Sequence, residues 1–405
     1  MTPVTTRCCI AGGGPAGIML GYLLARAGID VVVLEKHADF FRDFRGDTIH
    51  PSTLTVMQEL GLLDDFLKLR HSEVRTLSVN VSGEVVTIAD LSRVPGPCKF
   101  VMFIPQWDFL KFLAEHARRF PGFRLLMETE ARELVIEDGR VVGLRTLSHG
   151  QEMIVRADLT VAADGRTSIL REQSGCEVIE IGAPIDVLWL RLSKKAGDSS
   201  QTFGNVVAGG ILVAIDRVDY YQCAVVIKKG AFDEMRSRGL EAFRAYIATI
   251  APFLADRVDE LQSWDDVKLL TVAVNRLKQW HRPGLLFIGD AAHAMSPVGG
   301  IGINLAIQDA VAASNLLTDA LRHGAPTDAN LQSVQHRRER ATRQTQAMQV
   351  FLQERILNCV LNTSNKIRLP WFLRLFRISA LRRIPARIIG VGLLPEHVQT
   401  SEDQH

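Results

Sequence analysis

The first forty residues alternate apolar runs with a stretch of helical spacing. Residues 7–11 form a short apolar run, a glycine cluster follows, residues 18–27 place apolar side chains at helical intervals, and Val31–Leu34 is β-branched and bounded by Asp30. This order predicts a strand–helix–strand unit. Two further apolar runs, 159–163 and 285–288, predict buried strands. Each delivers an aspartate just past its carboxyl end, Asp164 and Asp290, where open α/β sheets bind ligands.

Between about 185 and 227 the texture changes. Residues 187–192, 210–215 and 221–226 read as a series of short strands. With residues 77–88 they predict a second, antiparallel-rich sheet inserted into the first domain. Residues 329–357 predict one long helix, and a basic, apolar tail follows.

Composition narrows the function classes. With 405 residues, 47% of them hydrophobic, the chain can bury a large core. A formal net charge of +2 gives no field of the kind that marks a nucleic-acid binder. The opening strand leaves no room for a leader peptide, and no run of 18 apolar residues would span a bilayer, so a cytoplasmic protein is expected. Cys8, Cys9, Cys98, Cys176, Cys223 and Cys359 show neither metal-site nor disulfide spacing and read as reduced and mostly buried. No His/Asp cluster has metal spacing, so no metal site is expected.

The candidate chemistry lies in three separated motifs. In Gly12-Gly13-Gly14-Pro15-Ala16-Gly17, Gly12 permits the tight turn, Gly14 lets the backbone approach a pyrophosphate, and Gly17 lets helix and strand pack closely. The helix amino terminus beyond, with Ala16 in its first turn, supplies N–H groups and positive dipole. Glu35, followed by Lys36, ends the second strand where it can accept hydrogen bonds from ribose hydroxyls. Asp164-Gly165 and Gly289-Asp290 are ordinary turn signals taken singly. Asp290, however, leads into a glycine-rich loop through Pro297 and then Gly302, Ile303 and Asn304, where a helix almost free of charge begins. Its amino terminus carries roughly half a positive charge, suited to the anion formed when a flavin is reduced. Together the three motifs imply an extended FAD.

In these motifs the chain resembles the flavoprotein aromatic hydroxylases, typified by para-hydroxybenzoate hydroxylase and the polyprenyl-methoxyphenol hydroxylases, over about residues 7–340. The resemblance implies an α/β (α+β) architecture: a discontinuous Rossmann-like FAD-binding domain from residues 1–75, 100–180 and 270–330, an inserted antiparallel substrate sheet from 76–99 and 181–269, and a helical region from 331–405. It implies that Asp164 serves FAD and a transient NADH or NADPH, that Asp290 binds near the ribityl chain, and that Gly302, Ile303 and Asn304 meet the flavin ring through their backbone. Arg45 and Gln106 match the family's flavin-contacting arginine and a glutamine near the cofactor, and Ala131 would lie by the adenine. The implied reaction is NAD(P)H- and O2-dependent hydroxylation or epoxidation of an apolar aromatic or unsaturated small molecule through a flavin hydroperoxide, a chemistry the cofactor carries.

The protein's share of such a reaction is to hold the substrate and exclude water. Pro297 is the candidate for the flavin face where oxygen reacts, and Trp189, Ile211, Val213, Tyr221 and Met102 are candidates for an apolar roof. His50 and His293 are the nearest candidates for a base that deprotonates a phenol. Two alternatives share the cofactor: an alkene reductase of the geranylgeranyl kind, and a flavin-binding sensor without turnover. In the tail, basic residues from Arg355 to Arg387 face Trp371, Phe372, Leu375, Phe376, Ile378, Leu381, Ile384 and Ile388. This stretch reads either as a peripheral contact with an anionic membrane, which would favour a lipophilic substrate, or as a cap packed on the flavin domain.

Overall fold

In a computed structural model the chain is described over residues 4–41, 48–198, 203–364, 367 and 375–403. The opening strand, Val4–Ala11, lies parallel to Val31–Leu34 on one side and to the end of the twelve-residue strand Gln151–Ala162 on the other. Phe123–Leu126 and Leu285–Phe287 extend this parallel core at its two sides. All four residues of Val31–Leu34 are buried, as expected where helices or loops cover both faces of a parallel sheet. The long strand also carries an antiparallel ribbon along its first half, Thr129–Glu137 and Arg140–Ser148.

Helix Pro15–Arg26 packs on this sheet together with the 22-residue helix Gly302–His323, and Ile18, Leu24, Ala306, Ala310 and Leu317 share one core with strand residues Ile10, Val33 and Val161. Burying that many apolar side chains, at about 1.5–3 kcal/mol each for the larger ones, fixes both helix starts against the carboxyl ends of the strands.

The second sheet has seven strands in the order Lys268–Leu270, Ile185–Ser193, Tyr220–Lys228, Gly210–Asp216, Phe203–Val207, Thr76–Val81 and Glu84–Asp90. The stretch 77–88 is a hairpin, and Phe203–Val207, which the sequence pattern did not reveal, joins it to the rest by a parallel pairing. Period-two alternation gives the sheet two dissimilar faces. Leu188, Leu190, Leu212, Tyr221, Cys223 and Val225 pack on helix Leu240–Ile250 through Phe243 and Ile247. Ile185, Val187, Trp189, Ile211, Val213, Ala224 and Val226 form the other face, where Val298, Val350 and Leu357 meet them.

The predicted long helix runs from Asp328 to Leu352 and continues as a π turn, Gln353–Leu357. In the tail, helix Arg383–Gly390 packs against the second sheet's hairpin: Ala386 and Ile389, with Val391 just beyond, join Leu77 and Ala89 in one cluster. Among the described residues no helix is long and apolar enough to cross a membrane.

Candidate functional site

The three motifs meet at the carboxyl ends of the parallel strands. Gly12 has φ +112°, and a Cβ there would lie 2.3 Å from the Ala163 carbonyl oxygen, so the first turn touches the residue just before Asp164. A Cβ on Gly17 would fall 1.9 Å from the Gly12 carbonyl, which leaves glycine as the residue that fits. A Cβ on Gly14, by contrast, would have nothing within 4 Å, leaving that part of the turn open for an approaching group. Gly289 brings the third motif in, for its Cβ position lies 3.3 Å from that of Ala16. Arg166 Nη2 reaches Asp290 Oδ2 at 3.5 Å, tying the second motif to the third.

Polar atoms in this cluster are arranged for a ligand. Glu35 accepts hydrogen bonds from the backbone N–H groups of Gly13 (3.1 Å) and His37 (3.0 Å), which fixes its carboxylate beside the glycine turn. Thr129 N–H donates to the Glu35 carbonyl, placing Ala131 two residues along the neighbouring strand. Lys36 is exposed beside them. Burial pushes the Asp164 carboxyl above its usual range, and its Oδ1 is a buried acceptor without a donor. Such an oxygen fits a hydroxyl- or N–H-bearing ligand and repels a bare phosphate. Helices Pro15–Arg26 and Gly302–His323 both begin without a side-chain cap and with no acid in the first turn. Their leading N–H groups are thus uncommitted donors at the positive ends of two dipoles. These features fit a dinucleotide with a negative pyrophosphate, hydroxylated sugars and a ring that gains negative charge.

Asn304 has a different task from its neighbours. Its Oδ1 accepts from His50 N–H and the Thr53 hydroxyl, both at 2.8 Å, while its Nδ2 donates to the carbonyls of Thr48 and Gly300. The side chain therefore staples segment 48–53 to the helix start and leaves only its backbone for a ring. Gln106 opens helix Gln106–Ala117 just after Val101–Phe103, the strand that pairs with Thr48–Ile49. Arg45 lies outside the described residues.

Neither histidine stands ready as a base. His50 is 1% exposed, its Nδ1–H donates to the Ile389 carbonyl at 2.6 Å, and burial lowers its pKa to about 4. His293 donates from Nε2 to Asp309 at 2.6 Å and packs at a tilt of 45° against Trp280, with ring centroids 4.8 Å apart. Two roof candidates also lie elsewhere. Tyr221 faces the helix side of the second sheet, because it alternates in phase with Cys223 and Val225, and Met102 is in the core of the first domain. Trp189, Ile211 and Val213 do lie on the inner face.

The residues that hold the third motif escaped the sequence pattern. Asp309 is fully buried and accepts from Gly289 N–H (3.1 Å), from His293 and from Arg338 Nε (3.0 Å). Burial alone would raise its pKa, but His293 and Arg338 bring it below the usual carboxylate range. Arg338 in turn donates to the Leu394 carbonyl and to Glu396. Pro297 sits in a loop held by Gln349, whose amide accepts from Ser296 N–H (3.2 Å) and donates to the carbonyls of Ser296 and Val298 (both 3.0 Å). The one visible signal was Asp309 itself, an acid within an apolar helical run.

Comparison with known proteins identifies the family. The sequence pattern of the family described as FAD binding domain matches residues 5–348. A 6-methylpretetramide 4-monooxygenase from Streptomyces rimosus is 33% identical over 387 residues, spanning 95% of this chain and 92% of that protein. A para-nitrophenol 4-monooxygenase from a Pseudomonas species is 24% identical over 325 residues, 78% of this chain and 79% of its own. The solved structure of p-nitrophenol 4-monooxygenase PnpA from Pseudomonas putida superposes with a TM-score of 0.73 at 19% identity, covering 96% of each chain, which shows a shared fold.

Proposed function

We propose which residues of this chain, which belongs to the family described as FAD binding domain and is an FAD-dependent aromatic monooxygenase, hold the cofactor and the substrate, with NAD(P)H as the reductant. The assignment rests on the convergence of the glycine turn, Asp164 and Gly289-Asp290 beside two uncapped helix starts. Gly12, Gly14, Ala16 and Gly17 receive the pyrophosphate on the first helix. Glu35 holds the adenosine ribose, with Lys36 and Ala131 at the adenine end. Asp164 and Asp290 take hydroxyl groups, and Gly302, Ile303 and Asn304 present backbone N–H groups to the flavin ring beside Gln106 and Arg45. Bound FAD supplies the redox chemistry with NAD(P)H and O2.

The chain's own contribution is enclosure. The sheet drawn from 76–99 and 181–269 turns Trp189, Ile211 and Val213 toward the loop of Pro297, an apolar face that excludes water and carries an aromatic ring. With His50 shifted to about 4 and His293 bonded to Asp309, the reading includes no histidine base. The Streptomyces rimosus relative is named for 6-methylpretetramide, and an aromatic of that kind is the first substrate to try.

The tail reads as a cap. Helix Arg383–Gly390 turns Ala386 and Ile389 inward, which supports the cap, whereas Leu375, Ile378 and Ile384 of the predicted apolar face are exposed and Trp371 and Phe372 lie outside the described residues. The protein should remain in the supernatant with phosphatidylserine vesicles, and co-sedimentation would overturn the cap.

The site assignment is tested by FAD content. Glu35→Ala and Asp290→Ala should each weaken FAD binding about tenfold, the effect of losing one or two hydrogen bonds. Wild-type flavin content in both variants would sink it. Substrate-stimulated oxygen uptake with a one-oxygen gain in product mass reports the reaction.

A further inference from the structure

One side chain near the inner face is unsatisfied. Gln353 is 0% exposed, and neither its Oε1 nor its Nε2 has a hydrogen-bond partner. An amide carries donors and an acceptor that rarely stay unpaired inside a protein, because burying them forfeits their bonds to water. The other glutamines on this face of the helix behave differently. Gln335, Gln346 and Gln349 all bond to backbone groups of neighbouring segments.

Its position gives the exception a meaning. Gln353 opens the π turn Gln353–Leu357, a distortion that recurs at functional sites. One turn before it, Gln349 grips the loop of Pro297, and four residues later Leu357 packs with Val298, Ile211 and Val226. Val350, three residues back, packs in the cluster of Trp189 and Val213. The orphaned amide is thus bracketed by the flavin loop and by both apolar patches of the substrate face. A second orphan lies on that face, the buried indole N–H of Trp189.

We propose that Gln353 is a specificity-determining residue whose amide receives the polar edge of the aromatic substrate, with the Trp189 N–H as a second donor. An amide presents a donor and an acceptor in one plane. Its complement is an aromatic that carries an acceptor and a donor side by side, as a carboxamide beside a phenolic hydroxyl does. The apolar face alone would select for ring size, whereas a hydrogen-bonding site rejects ligands that leave its groups unpaired. This inference rests on the aromatic-monooxygenase reading.

The test uses the FAD-loaded enzyme and two probes of similar shape, salicylamide and ortho-cresol, followed by their perturbation of the flavin absorbance. The wild type should bind salicylamide about tenfold more tightly than ortho-cresol. Gln353→Leu, at wild-type flavin content, should bring the two within about twofold while raising the thermal midpoint by about 2 °C, because a buried orphan has been removed. Gln353→Glu, which keeps volume and acceptor, should give an intermediate ratio and preserves the test if the leucine variant misfolds. Equal binding of both probes to the wild type, or a preference that survives in Gln353→Leu, would overturn the proposal. If neither probe perturbs the flavin, the aromatic reading falls with it.

Discussion

His50 shows how one buried side chain sets a pH limit for the whole protein. Its folded pKa of about 4 lies below the ordinary 6.5 because burial disfavours the charged ring. The unfolded chain therefore binds a proton that the folded chain refuses, and stability falls as pH drops from about 6.5 toward 4, by about 3 kcal/mol for the full shift. His50→Asn, which can still donate to the Ile389 carbonyl, should flatten that limb in denaturant titrations run at pH 7.5, 6 and 5. An unchanged slope would show that other groups carry it. The turns that carry the glycines and Asp290, and the strand end before Glu35, were legible in the sequence because each is a local feature of a few residues. Asp309 was not, since its partners Gly289, His293 and Arg338 are brought to it only by the fold.

Among the elements, helix Asp328–Leu352 departs furthest from what its sequence pattern conveys. The sequence reads as one long helix over 329–357, close to the observed element with its Thr327 cap, but its buried face is polar, so the pattern said nothing about what it touches. Gln335 bonds to Trp280 N–H and the Lys278 carbonyl, and Gln349 to Ser296 and Val298. The helix reads the backbone edges of two segments that no strand pairs with there. Gln349→Leu should destabilise the protein by about 3 kcal/mol through unpaired backbone groups and should weaken FAD binding more than Gln335→Leu does, as fluorescence titration of the apoprotein would show. Equal FAD affinity in the two variants would mean that the Pro297 loop keeps its shape without the amide. Strand Phe203–Val207 and the phase of Tyr221 toward helix Leu240–Ile250 were missed for a related reason. In a sheet apolar on both faces, alternation does not say which face meets which neighbour.

At the scale of the whole molecule, distant segments close on one another. Glu396 accepts from Arg337 and Arg338, and its backbone N–H donates to the Gln308 side chain. Farther on, Arg26 of the first helix donates to the Thr400 carbonyl at 2.7 Å and accepts from Asp403 N–H. Glu396→Ala should therefore cost about 3 kcal/mol by leaving Arg338 buried without its second carboxylate. It should also loosen FAD, because Arg338 steadies Asp309 and Asp309 steadies Gly289; calorimetry and flavin titration would check the two effects separately. The second, antiparallel-rich sheet was legible from texture, whereas the strap over residues 394–403 was not, since polar tail residues carry no periodicity. The distance between Gly12 and Gly289 in sequence also has a bearing on biosynthesis. A nascent polypeptide leaving the ribosome exposes its glycine turn long before Gly289 and Asp290 exist, so the coenzyme can be captured only late in translation, and fragments cut off before that point should emerge colourless.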